Sequence, residues 1–191
     1  MHYISGTSVS LGADVMEGMA QFRHRVFVEM LGWQLDTQGG AELDQFDRPD
    51  TVYLVARDEN DAVVGTARLL PTTRPYLLRD IFPQLLHGQP LPAAPTVWEL
   101  SRFAAVDFNA AKTSLVPQVS SPIAVGLLQQ ATHVAAELGA QRLITVSPLG
   151  VERLLRKAGF HAHRAAPPVI MDGHPVFACW IECTESTQAT H

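Results

Sequence analysis

The stretch Thr96–Ala104, T-V-W-E-L-S-R-F-A, combines a β-forming apolar frame with Glu99, Ser101 and Arg102 at its centre. Strand side chains alternate in direction, so Val97, Glu99, Ser101 and Phe103 are expected on one face and Trp98, Leu100 and Arg102 on the other. Same-face neighbours lie roughly 6.5–7 Å apart along a strand, which brings a carboxylate and a hydroxyl beside one small ligand. A charge inside a core strand is costly unless it is paired or hydrogen-bonded. Either Glu99 forms a structural ion pair with an arginine, or this strand lines a site.

The 191 residues suit one globular domain spanning 1–191. Hydrophobic residues make up 47% and charged residues 17%, which permits a large core and argues against disorder. The formal net charge of −5 speaks against a nucleic-acid partner. Cys179 and Cys183 fall in one late apolar run. Their spacing on a strand is too long for a disulfide, so they read as core residues of a reducing compartment. No apolar run reaches the roughly 18 residues of a membrane span, and M-H-Y-I-S-G lacks the basic start of an export signal. A cytoplasmic protein with no membrane partner is expected.

Either side of the central strand, the hydrophobic periods change. Val15, Met19, Phe22, Val26 and Met30 recur at helical spacing, predicting a helix over 13–30 that Gly32 can stop. Residues 33–50 are polar and acidic yet keep Trp33, Leu43 and Phe46, the pattern of a loop that folds over a ligand. Thr51–Arg57 and Val63–Leu70 read as strands around a D-E-N-D turn, with Arg68 inside the second. The proline-rich 71–95 excursion holds a helix over Leu77–Leu86 that bears Phe82. Ser120, Ser121 and Pro122 open a long helix closed by Gly139. Arg142–Ser147 follows as a buried strand parallel to its neighbour. Ser147-Pro148 is expected to cap a further helix ending at Gly159, and Asp172-Gly173 to turn a final hairpin. This order predicts an α/β fold: a three-layer sandwich of one mixed, twisted sheet with helices on both faces. It also fits the GCN5-related N-acetyltransferases.

Arg23, Asp44, Asp47 and Arg68, with the aromatics Phe27, Trp33 and Phe46, could hold a zwitterionic amino acid or a sulfonium cation. Carboxylates neutralise a cation, aromatic faces attract it, and arginine grips a carboxylate with two prongs. D-x-x-D alone is more often the mark of a solvated acidic loop. His161-x-His163 has no Cys or carboxylate partner at ligand spacing, so no metal is expected. No G-x-S-x-G elbow surrounds Ser101 or Ser147. The turn L-V-P-Q-V-S-S-P-I-A-V-G (115–126) lacks the glycine-rich run that cradles a coenzyme A pyrophosphate.

Together the motifs resemble the acyl-homoserine-lactone synthase family, the LuxI-type autoinducer synthases. F-R-H-R-V-F-V-E-M-L-G-W marks Arg23, Phe27 and Trp33; L-D-Q-F-D marks Asp44 and Asp47; G-T-A-R-L-L supplies Arg68. W-E-L-S-R-F supplies Glu99, Ser101, Arg102 and Phe103, and T-V-S-P-L-G-V-E-R-L-L-R-K-A-G-F, Thr145–Phe160, matches the late strand and helix. The resemblance runs from about residue 10 to 183.

It implies two substrates, S-adenosylmethionine and an acyl thioester on acyl carrier protein or coenzyme A, and no cofactor. The amine would attack the thioester to form an amide, and the carboxylate would then close the lactone and release methylthioadenosine. Glu99 would take the proton of the attacking amine, with Ser101 and Arg102 positioning the methionine part. Arg23, Phe27, Trp33, Asp44, Asp47, Arg68 and Phe103 would bind S-adenosylmethionine. Residues 1–50 would close over it, and 184–191 would form a loose tail. The acyl chain is expected among Phe82, Leu100, Thr145, Val146, Leu149, Leu154 and Phe177, with room for roughly six to ten carbons, each buried CH₂ adding about 0.8 kcal/mol. By resemblance, threonine at 145 goes with 3-oxo donors, although threonine is also a common strand former. The basic run Arg142, Arg153, Arg156, Lys157 and Arg164, set against Glu152, would suit an acidic carrier. A coenzyme-A-dependent N-acetyltransferase and a non-catalytic sensor of the same fold are the alternative readings.

Overall fold

The computed structural model describes residues 1–35, 37–108 and 121–183. The loose tail expected over 184–191 and the first part of the 115–126 turn, with Ser120, lie outside these residues. The strands are β1 (His2–Gly6), β2 (Thr37–Gln38), β3 (Ala41–Glu42), β4 (Val52–Arg57), β5 (Val63–Pro71), β6 (Val97–Ala105), β7 (Arg142–Pro148), β8 (Ala162–Arg164), β9 (Val169–Met171) and β10 (His174–Glu182). The helices are α1 (Ser8–Leu11), α2 (Ala13–Arg23), α3 (Leu77–Asp80), α4 (Pro122–Glu137) and α5 (Val151–Lys157).

One sheet runs β1-β4-β5-β6-β7-β10-β8, with β9 also paired to β10, while β2 and β3 form a separate small hairpin. Every pairing is antiparallel except β6 with β7, which the α4 crossover makes parallel. These two strands pair only over Val97–Glu99 against Arg142–Ile144 and run on unpaired beyond Glu99. The expected mixed three-layer sandwich is what forms.

On one face α4 and α5 bury Leu54, Leu69, Leu100, Leu127, Leu143, Leu155, Phe177 and Ile181 in a continuous apolar layer. The other face is divided. Phe22, Val26 and Phe27 pack on Ala104, Met19 packs on Tyr53 and Val55, and Tyr76, Leu78, Leu85 and Leu86 pack on Leu70, Val97 and Ile144. The α4 start is capped as expected, with Ser121 Oγ accepting from Ala124 N at 3.1 Å and Pro122 at the first helical position. Asp172 and Gly173 turn the final hairpin with φ of 49° and 79°, the two left-handed residues of a type I′ turn. No helix among the described residues is long and apolar enough to cross a membrane.

Several local expectations are corrected. The first helix is α-helical only to Arg23 and continues as π-helical turns over His24–Met30. There Leu31 N reaches Val26 O at 3.0 Å and Trp33 N reaches Phe27 O at 2.9 Å; the widened coil shifts the side-chain period and brings Trp33 back onto Phe27. The segment 77–86 is α3 followed by a separate 3₁₀ turn over Pro83–Leu86 rather than one helix, because Pro83 has no N–H to continue it. Ser147 caps nothing: β7 continues through Pro148, with Ser147 opposite Phe177 on β10, and α5 begins after Gly150 at φ +97°. The strand β1 pairs along β4 although its short, mixed sequence carries no clear period.

Candidate active site

The two-residue alternation of β6 holds from Val97 to Ser101 and then breaks. On β5, Arg68 pairs with Ser101 but Thr66 pairs with Ala104, so Arg102 and Phe103 together oppose one residue. This is a β-bulge, and Arg102 adopts the left-handed conformation at φ +49°. The bulge corrects two expected directions. Arg102 turns to the face that carries Ser101 and Glu99, while Phe103, expected with them, packs against the α4 layer.

Facing the bulge is a network of three arginines and three carboxylates. Arg23 clasps Asp47 with both Nη atoms (2.8 and 3.0 Å) and donates Nε to Glu42 Oε2 at 2.6 Å. Arg68 clasps Asp44 (2.6 and 3.2 Å), touches Asp47 Oδ2 at 3.1 Å and donates Nε to Ser101 Oγ at 3.0 Å. Arg102 donates Nε to Glu42 (3.1 and 3.2 Å) and Nη2 to Glu42 Oε1 (2.9 Å) and Asp44 Oδ2 (2.8 Å). Arg23 and Arg68 are fully buried and Glu42 is 1% exposed. Such charges survive burial only because each has charge-assisted partners. Burial opposes the charge of Asp47, yet the Arg23 and Arg68 guanidinium groups outweigh it and hold the carboxyl far below the usual range. Glu42 is likewise held low against its burial, by hydrogen bonds from Arg102 and Arg23.

Asp44 and Asp47 are therefore not a solvated acidic loop; their own backbone is tied in, with Asp44 N on Asp47 and Phe46 N on Asp44. Phe27 stacks on Trp33 with centroids 4.8 Å apart, and the Arg102 guanidinium lies 5.6 and 5.9 Å from the two rings. Beside them is a depression of about 490 Å³ lined by Gln34, Leu35, Glu42, Leu43, Asp44 and Gln45. Glu42 is the residue the sequence reading passed over. Its signal was the acid two positions before Asp44, which completes a third carboxylate for the third arginine.

Glu99 stands apart from this network, 1% exposed, at the point where β6 and β7 stop pairing. No arginine pairs with it among the described residues. Its Oε1 accepts Leu78 N at 2.6 Å and its Oε2 accepts Leu77 N at 2.8 Å, so it closes the first turn of α3. Burial pushes its carboxyl up to about 7, with the two N–H groups and Arg68 opposing the shift and Asp44 adding to it.

The residues expected around an acyl chain lie on both faces of the sheet. Leu100, Leu154 and Phe177 belong to the α4–α5 layer, and Thr145, opposite Cys179 on β10, faces the same way. Phe82 and Val146 lie on the opposite face with Leu78 and Ile144, and Leu149 is 52% exposed. Odd and even positions of β7 point to different layers, which separates Val146 from Thr145. The Thr145 hydroxyl has no hydrogen-bond partner among the described residues. In the basic run, Arg156 and Arg164 both pair with Glu152, and Arg142 lies 4.1 Å from the Trp180 ring centroid.

The architecture, a mixed sheet with helices on both faces, recurs in proteins of quite different sequence. Escherichia coli ElaA superposes on 95% of the chain with a TM-score of 0.66 at 12% identity, a likeness of fold alone. A family model described as Autoinducer synthase matches residues 9–190. The acyl-homoserine-lactone synthase of Acinetobacter nosocomialis is 53% identical over 95% of this chain and 100% of its own length. Among solved structures, TofI in a ternary complex with an inhibitor and MTA has a TM-score of 0.83 at 43% identity, covering 99% of this chain and 95% of TofI. BjaI, a CoA-dependent acyl-homoserine lactone synthase solved with SAM and isopentyl-CoA, has a TM-score of 0.82 at 27% identity, covering 97% and 84%. The chain belongs to the autoinducer synthase family. Its activity is that of an acyl-homoserine-lactone synthase, and the product is a quorum-sensing autoinducer.

Proposed function

We propose that the enzyme joins S-adenosylmethionine to a medium-chain acyl group carried on acyl carrier protein, needing no cofactor. The amine nitrogen of S-adenosylmethionine attacks the thioester carbonyl, and the carrier thiolate leaves. The amine must first lose a proton, and Glu99 takes it, directly or through one water. The carboxylate oxygen then displaces methylthioadenosine from the γ-carbon and closes the lactone. Ser101 and Arg102 orient the methionine part, while Arg23, Asp44, Asp47 and Arg68 hold residues 1–50 closed over it beside Phe27 and Trp33.

The observation that carries this reading is Glu99: a buried carboxyl with a pKa near 7 where the two central strands part. At neutral pH it populates both the base and its conjugate acid, as a proton acceptor requires. Bound SAM and isopentyl-CoA in BjaI support the two substrate classes. The excess of arginine and lysine along β7, α5 and β8 supports an acidic carrier protein, whose spread of carboxylates can meet several of these side chains at once.

Purified enzyme should release methylthioadenosine and form an acyl-homoserine lactone, identified by mass spectrometry, from S-adenosylmethionine and octanoyl-acyl carrier protein. With octanoyl-coenzyme A the kcat/KM should be lower and less sensitive to salt. Release of neither product overturns the reaction; equal kcat/KM for the two donors overturns the carrier preference.

A further inference from the structure

We propose that Glu42 is a positioning residue that aims one nitrogen of Arg102, Nη1, at the carboxylate of S-adenosylmethionine. The inference rests on the reading above, in which the methionine part lies beside Arg102. Each guanidinium nitrogen of Arg23 and Arg68 already has an acceptor in the network. Arg102 differs: Nε and Nη2 are engaged, and Nη1 has no protein acceptor among the described residues. It is the free donor of the network, on a side chain adjoining the Phe27–Trp33 stack and the depression that Glu42 and Asp44 line.

The direction of Nη1 is set by what grips the other two nitrogens. Glu42 takes both Nε and Nη2 in a two-pronged contact, which fixes the guanidinium plane. Asp44 cannot do this, since it meets only Nη2 of Arg102 and is itself clasped by Arg68. The backbone sets the same direction. At φ +49°, a backbone region that L residues rarely adopt, the bulge turns Arg102 toward the face where Glu42 meets it. Arg23 in turn steadies Glu42 from α2 through a 2.6 Å contact.

The test compares two ligands that differ in the group Nη1 would meet. Methylthioadenosine carries the nucleoside and sulfur but no carboxylate. By calorimetry, Glu42→Gln, which keeps the shape but loses the charge and one acceptor, should weaken S-adenosylmethionine binding about tenfold or more, the scale of a lost charge-assisted hydrogen bond. Methylthioadenosine binding should stay within about threefold, since it makes no such bond. If Glu42→Gln does not fold, Glu42→Asp, which retains the charge but withdraws it by one CH₂, should show the same selective loss. Equal weakening of both ligands, or of neither, overturns the assignment. Failure of the unmodified enzyme to bind either ligand would instead overturn the underlying substrate reading.

Discussion

Glu99 serves two demands that pull in opposite directions. Two backbone N–H groups at the start of α3 favour its carboxylate, while burial favours the neutral acid, and burial wins. The folded protein therefore holds a proton on Glu99 between its ordinary pKa and about 7, where the unfolded chain has released it. Through that window the contribution of Glu99 to stability falls as pH rises. The same titration supplies the base. We expect kcat/KM in the unmodified enzyme to climb with pH through an inflection near 7. Glu99→Gln should reduce turnover by roughly 10²–10⁴ and abolish that inflection. Gln keeps one acceptor for α3, so the variant should remain folded by circular dichroism; near-normal turnover from it would remove Glu99 from the role of base.

At the scale of elements, the site is made by irregularities in regular structure. The bulge in β6 turns Arg102 toward Ser101, and the π-helical turns after α2 return Trp33 to Phe27. The segment between β5 and β6 is held at α3 by Glu99 and at Thr72, whose Oγ1 donates to Val97 O at 2.7 Å. Opposite these stands the regular helix α4, whose stability depends on ordinary capping. Ser121→Ala removes the acceptor for Ala124 N and should cost about 1 kcal/mol, lowering Tm by roughly 2–4 °C. Because Ser121 lies outside the charged network, S-adenosylmethionine affinity should be unaltered. A thermal melt together with a binding isotherm checks both outcomes.

Over the whole molecule, the network ties α2, the β3 loop, β5 and β6 together through balanced charge: Arg23, Arg68 and Arg102 against Glu42, Asp44 and Asp47. Glu42 and Asp47 are held below their ordinary pKa values, so the stability they confer is fully present above the unfolded range near pH 4. It is lost as pH falls through their folded values, because the unfolded chain then binds more protons. Urea unfolding should show a steep loss of stability below about pH 4. Asp47→Asn should be less stable at pH 7, since Arg23 keeps a buried charge without its clasp, and should show a shallower acid decline. An unchanged acid slope in Asp47→Asn would mean that other carboxylates govern the acid response.

The layers follow from local patterns along the chain. Helical periods at 13–30 and 122–138, β-rich runs at 51–57, 63–70, 96–104 and 142–147, and the Asp172-Gly173 turn all record local preferences that the fold preserves. The motif order also carried most of the candidate site, because charged residues inside apolar strands are visible without coordinates. The directions in which those residues point come from long-range packing. The bulge at Arg102, the split of the expected acyl set between two layers and the continuation of β7 through Ser147 all arise from pairing with strands distant in sequence. Glu42 belongs to the same class. Alone it is one more acid in a polar loop, and it becomes a buried clasp only when α2 and β6 bring Arg23 and Arg102 to it. Periodicity is a local property of the chain, whereas burial of a charge depends on partners that only the folded chain supplies.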